Sequence, residues 1–219
     1  ERSRGLGDVY KRQIKYWVFS CHVDGFHLLG VHIPTALLAT EPMLGNTKLF
    51  YTDFSCDEIY DNSDIPAYKN LAVYNDDFMY AVRHFLKSDE GSLLPALGSL
   101  RKNPRQTGVI NYVTNYSGFT LADLVSYDRK HNEDNGEENR DGENYNVSWN
   151  CGFEGRTRKK SVQELRGRQM KNAMLLLLTS QGTPMIVSGD EFGFSHGGNN
   201  NPYCQDNGVN WLNWHLQET

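Results

Sequence analysis

Met185-Ile186-Val187 is an apolar run with no polar alternation, the pattern of a parallel strand covered on both faces rather than of a half-exposed one. Gly182 just before it suits the left-handed close of a helix, and Pro184 sits where a strand begins and no ladder donor is lost. The run leads into Ser188-Gly189-Asp190-Glu191 and a loop rich in Gly and Asn. Parallel α/β folds bind ligands at the carboxyl ends of their strands, which makes this loop a candidate site. A tight surface turn would carry the same residues.

Four other stretches read as strands: residues 23–30, 47–54, 70–75 and 108–114. Parallel neighbours need crossovers of about a dozen residues or more, and helical patterns fill the intervals. Ile14, Trp17, Val18 and Cys21 share one helical face, and residues 31–46 have room for a loop and a helix. Asp76 and Asp77 open a helix that buries Phe78, Val82 and Phe85, with acid at the positive end of the dipole. Residues 91–107 hold a further short helix. Ser161-Val162-Gln163-Glu164 has the spacing of a capping box. It opens a helix to about residue 180, expected to be buried because it is apolar on most sides near Leu175–Leu178. The alternation predicts an α/β fold, and five strands fit the carboxyl-terminal half of a (β/α)8 TIM barrel.

Composition narrows the partners. A chain of 219 residues, 38% hydrophobic, supports one sizeable core. A net charge of −5 argues against nucleic acid, whose binders present basic faces, and the cationic residues 156–160 read as a solvated loop. The apolar run 173–178 is far too short to cross a bilayer, so no membrane partner is expected. Cys21, Cys56, Cys151 and Cys204 are widely spaced, without a C-x-x-C pair. They read as buried or free thiols in a reducing, cytoplasmic setting, with disulfides as the open alternative, and no cofactor and no metal are expected. Residues 1–13 lack apolar periodicity and resemble translated adaptor sequence, a non-native leader before a partial barrel of residues 14–219. Half a barrel exposes sheet edges, so a longer parent protein is expected.

Gly182-Thr183-Pro184-Met185, Gly189-Asp190-Glu191 and Asn199-Asn200-Asn201-Pro202-Tyr203-Cys204-Gln205-Asp206-Asn207, followed by Trp211-Leu212-Asn213-Trp214, resemble the last barrel strand and loop of glycogen-debranching enzymes and isoamylases. These belong to the α-amylase superfamily of glycoside hydrolases. The resemblance extends from Ile14 to Trp214. It implies α-1,6 hydrolysis as the family's activity and branched α-glucan such as glycogen as the ligand.

Within that resemblance the catalytic positions depart from the family. A family segment like H-V-D-G-F-R-F-D lies over residues 22–29, placing His27 at the Arg and Leu29 at the nucleophile Asp. A segment like T-K-L-I-A-E-P-W-D lies over residues 47–55, placing Thr52 at the acid Glu. A rival register on Glu41-Pro42 leaves too short a crossover, and Asp53 is one residue off, which on a strand is the opposite face. The pattern I-N-F-V-T-A-H-D-G-F over residues 110–119 puts Tyr116 and Ser117 at its His and Asp.

Retaining hydrolysis uses two carboxyl groups about 5–5.5 Å apart, and none of Leu29, Thr52 or Ser117 supplies one. The resemblance therefore implies a degenerate member that binds branched α-glucan or supports an active homologous debranching enzyme. The alternatives are an active hydrolase with displaced carboxylates such as Asp53, Glu41 or Asp24, and a structural relic without function. Residues 130–149 form a polar loop too long for an ordinary connection, which resembles the family's loop over the cleft. Candidate sugar contacts are His131, Arg140, Tyr145 and Trp149 on that loop. His27, Asn115, Tyr116, Asp190 and Glu191 are candidates at strand ends.

Overall fold

The computed structural model describes residues 2–60 and 69–215. Five strands form one sheet in chain order: β1 (Gly25–His27), β2 (Lys48–Tyr51), β3 (Leu71–Tyr74), β4 (Gly108–Asn111) and β5 (Thr183–Pro184). The β1–β2, β2–β3 and β3–β4 pairings are all parallel. This is the α/β arrangement of part of a barrel, each strand returning to the same direction through helical segments. The chain groups into two compact units, residues 1–75 with 102–110 and residues 76–101 with 111–219.

In the first unit, Phe26, Leu49 and Leu71 share one register row, and Phe50, Ala72 and Gly108 the next. Leu49 and Leu71 join Leu38 of α2 (Thr35–Ala39), Leu44 of a 3-10 turn and Phe54 in a core where each is at most 5% exposed. Burying such a side chain contributes roughly 1.5–3 kcal/mol. Ile14 and Val18 of α1 (Arg2–Cys21) pack against this core. The helix expected from Ile14 includes residues 2–13 as well. Trp17 is half exposed and Cys21 exposed, so only part of the expected face is covered. Lys11 and Lys15, one turn apart on α1, reach Glu41 at 3.2 and 2.9 Å. A short helix, α3 (Cys56–Ile59), completes the unit.

The second unit is built on α4 (Asp76–Lys87), α5 (Leu93–Leu100), α6 (Leu121–Leu124) and α7 (Lys160–Thr179). Phe78 and Val82 of α4 meet Phe119, Leu121 and Leu124, and Ala173 and Leu177 of α7 close the cluster. Phe85 is half-buried rather than buried. Only one stripe of α7 is covered: Leu175 and Leu178 stand 61% and 59% exposed, contrary to the expectation of burial all round.

The expected capping box is also absent. Helix α7 begins two residues early, at Lys160 with Lys159 rather than Ser161 as N-cap, and Glu164 lies 3.8 Å from Lys160. The last strand is shorter than its apolar run suggested. It spans Thr183–Pro184, the chain beyond is held by the Met185 amide donating to the Asn111 carbonyl at 2.8 Å, and Ile186 is 43% exposed. Gly182 has φ +113° but does not cap α7, which closes on Ser180 in extended conformation.

Candidate functional site

Leu29 lies two residues beyond β1 and is 64% exposed. Thr52 follows directly on β2 and is exposed, and Ser117, in the segment leaving β4, is exposed too. Each follows the carboxyl end of its strand, where barrel folds place their chemistry.

His27 closes β1 and stacks on Tyr74, which closes β3, with centroids 4.1 Å apart and planes within 5°. Partial burial pushes its pKa below the usual histidine range, which keeps it neutral at pH 7. Of the substitute carboxylates, Asp24 precedes β1 and so stands at the strand's opposite end from Leu29, its carbonyl accepting from the Lys48 amide. Glu41 is held ionised, well below the usual carboxylate range, by its hydrogen bond to Lys15 and that to Lys11. Two lysines on one carboxylate make a structural clamp. Asp53 is exposed beside Thr52.

In the second unit, the turn after β4 is set by Asn115, whose Oδ1 accepts from the Ser117 amide at 2.9 Å and from its hydroxyl at 3.0 Å. That turn presents Tyr116, 68% exposed, to a cleft of about 490 Å3. Tyr116, Ser117, His196, Asn200, Asn201 and Tyr203 border it. Aromatic faces, amides and hydroxyls around an open cleft suit a polyhydroxylated ligand: the rings take its C–H faces and the amides its hydroxyls. Burial lowers the pKa of His196, whose ring stands edge-on to Phe194. Its backbone amide donates to Asp123 Oδ2 at 2.8 Å, and Ser195 Oγ donates to Asp123 Oδ1 at 2.5 Å. These two bonds make Asp123 a brace for the cleft segment, and burial raises its pKa.

The loop of residues 130–149 is pinned by amides. Asn132, Asn135 and Asn146 bond side chain to side chain with Asn200, Asn199 and Asn200 respectively. Asp141 accepts from Asn135 and Asn201 at 2.8 and 2.9 Å, which hold its carboxyl below the usual range. Two buried arginines complete the clamp. Arg83 donates to the carbonyls of Val113 and Asn146, both at 2.8 Å, and burial pushes it down to about 10, still charged at neutral pH. Arg166 donates to the carbonyls of Gly155, Asn150, Ser126 and Phe153. The loop is thus an ordered wall.

The other candidates divide between this wall and the interior. Tyr145 is exposed, with its hydroxyl 3.1 Å from His84. His131 lies 3.3 Å from Glu154 and its amide donates to the Gly198 carbonyl at 2.7 Å. Arg140 projects into solvent beside Glu138. Trp149 turns inward onto a void of only about 20 Å3 lined by Leu121, Leu124 and Ala173. Asp190, 5% exposed, accepts from the Leu121 amide at 2.8 Å and from Thr114 Oγ1. Glu191 accepts from the Gly189 amide at 2.8 Å. These two carboxylates brace turns.

Tyr203, Asn200 and His196 were not among the sequence candidates, although the N-N-N-P-Y run held the signal for Asn200 and Tyr203. Asp76, read only as a helix-opening residue, and Tyr80, not singled out in the sequence, border a second pocket at Ser117. Among the described residues, no group of three or more His, Cys, Asp or Glu side chains is placed to hold a metal. No helix there is long and apolar enough to cross a membrane.

No family model matches the chain. Its sequence is 37% identical over 246 residues to isoamylase SU1 of Zea mays, covering 94% of the chain and 31% of that protein. It is 40% identical to the glycogen operon protein GlgX homologue of Haemophilus influenzae, over 92% of the chain and 34% of that protein. Over nearly its whole length the chain is a homologue of the isoamylases and glycogen-debranching enzymes. A glycogen debranching enzyme of Erwinia tasmaniensis gives the same answer, 36% identical over 92% of the chain. The homologue described here spans about a third of the length of these relatives. Its fold matches the catalytic module of the multi-modular glycogen-degrading pneumococcal virulence factor SpuA. There the TM-score is 0.54 and the identity 20%, with 90% of this chain and 28% of that one aligned.

Proposed function

We propose that this chain is the glucan-binding part of a glycogen- or starch-debranching homologue that has lost its hydrolytic carboxylates. One observation carries the reading: the residues at the three strand ends where the resemblance puts catalytic carboxylates are Leu29, Thr52 and Ser117. Leucine can neither attack an anomeric carbon nor stabilise an oxocarbenium ion, and threonine and serine do not protonate a leaving oxygen at neutral pH. The surroundings support retained binding. The 490 Å3 cleft keeps two exposed tyrosines among amides and hydroxyls, and the polar wall is cross-linked rather than loose. The names of the relatives supply the ligand class, a branched α-glucan. Residues 14–219 form the barrel segment in this reading. The four free thiols favour a reducing, cytoplasmic compartment, where the protein supports an active homologous debranching enzyme by holding its substrate.

The test is release of reducing ends from glycogen by the full-length protein, with retention on glycogen measured in parallel. Retention without turnover is expected. Turnover comparable to that of an authentic debranching enzyme would mean that other carboxylates act, and the loss-of-catalysis reading would be abandoned.

A further inference from the structure

We infer that Tyr145 and Tyr80 form a second α-glucan subsite beside Ser117, in which Asp89 and His84 act as positioning residues for Tyr145. The inference rests on the reading above that the unit around Ser117 binds α-glucan, and it adds a place and a device which that reading does not contain.

A pocket of about 190 Å3 shares Ser117 with the larger cleft. Asp76, Tyr80, Asn115, Glu143 and Tyr145 border it with Ser117. It is smaller than the roughly 300–1,000 Å3 of drug-sized sites, on the scale of a single sugar ring. Ser117 borders both depressions, which puts the proposed subsite next to the larger cleft.

Tyr145 is 58% exposed, so its ring buries little and the fold gains little from it. Even so, it is held from several sides. Its backbone amide donates to Glu143 Oε1 at 2.7 Å, and its ring stacks on Tyr80 with centroids 6.0 Å apart and planes 29° off parallel. Its hydroxyl lies 3.1 Å from His84 Nε2, while His84 Nδ1 lies 2.5 Å from Asp89 Oδ2. Asp89 accepts the Nδ1 proton, which leaves Nε2 to accept from the Tyr145 hydroxyl. The phenol oxygen keeps its lone pairs for a sugar hydroxyl. An exposed aromatic ring fixed before the ligand arrives spares the ordering cost of binding, and its face offers an apolar platform with a polar edge. The Asp76 carboxylate, which also takes the Tyr112 hydroxyl, and the Glu143 side chain offer acceptors for sugar hydroxyls, while the bordering Arg83 is committed to the Val113 and Asn146 carbonyls, a mixture suited to a neutral pyranose.

The experiment is binding of glycogen by the full-length protein, read by affinity electrophoresis, with circular dichroism confirming the fold of each variant. Tyr145→Ala should weaken binding about tenfold, Tyr145→Trp should keep most of it, and Tyr145→Phe should weaken it about threefold. His84→Leu should weaken binding measurably but no more than Tyr145→Phe, because it releases the ring while leaving the phenol oxygen for the sugar, and the double variant should be no worse than Tyr145→Phe alone. Additive losses would remove the positioning role. Unchanged binding by Tyr145→Ala, alongside weakened binding by Tyr116→Ala in the larger cleft, would overturn the second subsite and leave the general reading standing. Failure of the unmodified protein to bind glycogen would take both down.

Discussion

Asn132 and Asn200 hold each other from both ends: Asn132 Nδ2 donates to Asn200 Oδ1 at 2.9 Å, and the Asn200 amide donates to Asn132 Oδ1 at 2.9 Å. The two residues are 68 positions apart, and both are at most 1% exposed. Asn200 Nδ2 also donates to the Glu143 carbonyl at 2.7 Å. Asn200→Ala keeps the backbone bond to Asn132 but removes the side-chain bonds to Asn132, the Glu143 carbonyl and Asn146 Oδ1, and should cost about 1–3 kcal/mol of stability. Urea unfolding would measure it; a loss near zero would mean that water replaces the side chain without penalty.

Asp190 gives a pH signature. Burial raises its carboxyl above the ordinary range. In the window between the ordinary unfolded value and the elevated folded one, the folded state binds more protons than the unfolded state, so stability falls as pH rises through that window and stays lower above it. A carboxamide at this position still accepts from the Leu121 amide and offers its own N–H to Thr114, so Asp190→Asn should flatten the decline without disrupting the turn. Unfolding free energies across the acid range decide it; parallel curves for the two proteins would dismiss Asp190 as the source.

Gly198 has φ +88°, and a Cβ there would stand 2.8 Å from the Tyr127 ring and 2.9 Å from that of His131. The Tyr127 ring is hemmed in by Phe119 and the core, whereas His131 is exposed and can give way. Gly198→Ala should therefore destabilise by about 2 kcal/mol or more, combining left-handed strain with overpacking. It should also loosen the contact of the Gly198 carbonyl with the His131 amide. A thermal shift within error of the parent would show that the rings yield freely.

Leu29→Asp, Thr52→Glu and Ser117→Asp, made together in the full-length protein, should bring glycogen hydrolysis about tenfold or more above background. All three side chains are exposed, so the changes bury no charge. Single changes should do little, because the groups act as a unit. A folded, glycogen-binding triple variant without any turnover would show that these positions are not the family's catalytic ones.

The sheet was legible because short apolar segments separated by crossovers leave few alternatives, and Leu49, Leu71 and Val109 are at most 3% exposed, although the run read as covered on both faces, Met185–Val187, lies beyond β5 with Ile186 43% exposed. Ends and faces were less so. Residues 173–178 are apolar at every position, so periodicity could not tell the covered Leu177 from the exposed Leu175 and Leu178. The Ser161–Glu164 spacing satisfies a local rule, but Lys159 and Lys160 start the helix earlier. In the candidate site, motif spacing located Tyr116 and Ser117. It could not find the Asn132–Asn200 pairing or the His84–Tyr145 contact, because each joins residues more than 60 positions apart that carry no periodic signal. Asp190 looked like a cleft carboxylate for the same reason: only the fold brings Thr114 and Leu121 to it.

The amide clasp across the cleft wall carries its own clock. The four cysteines are unpaired, so the loops 130–146 and 196–205 are fastened by carboxamides rather than sulfur, and a change of redox conditions leaves them joined. Carboxamides age by hydrolysis instead, fastest where glycine follows, and Asn135 is followed by Gly136. Asn135 donates to Asp141 Oδ2 at 2.8 Å and to the Asn201 carbonyl at 3.0 Å. Conversion to a carboxylate would erase both donors and set a negative charge against Asp141. The wall would then open with the age of the molecule rather than with its oxidation.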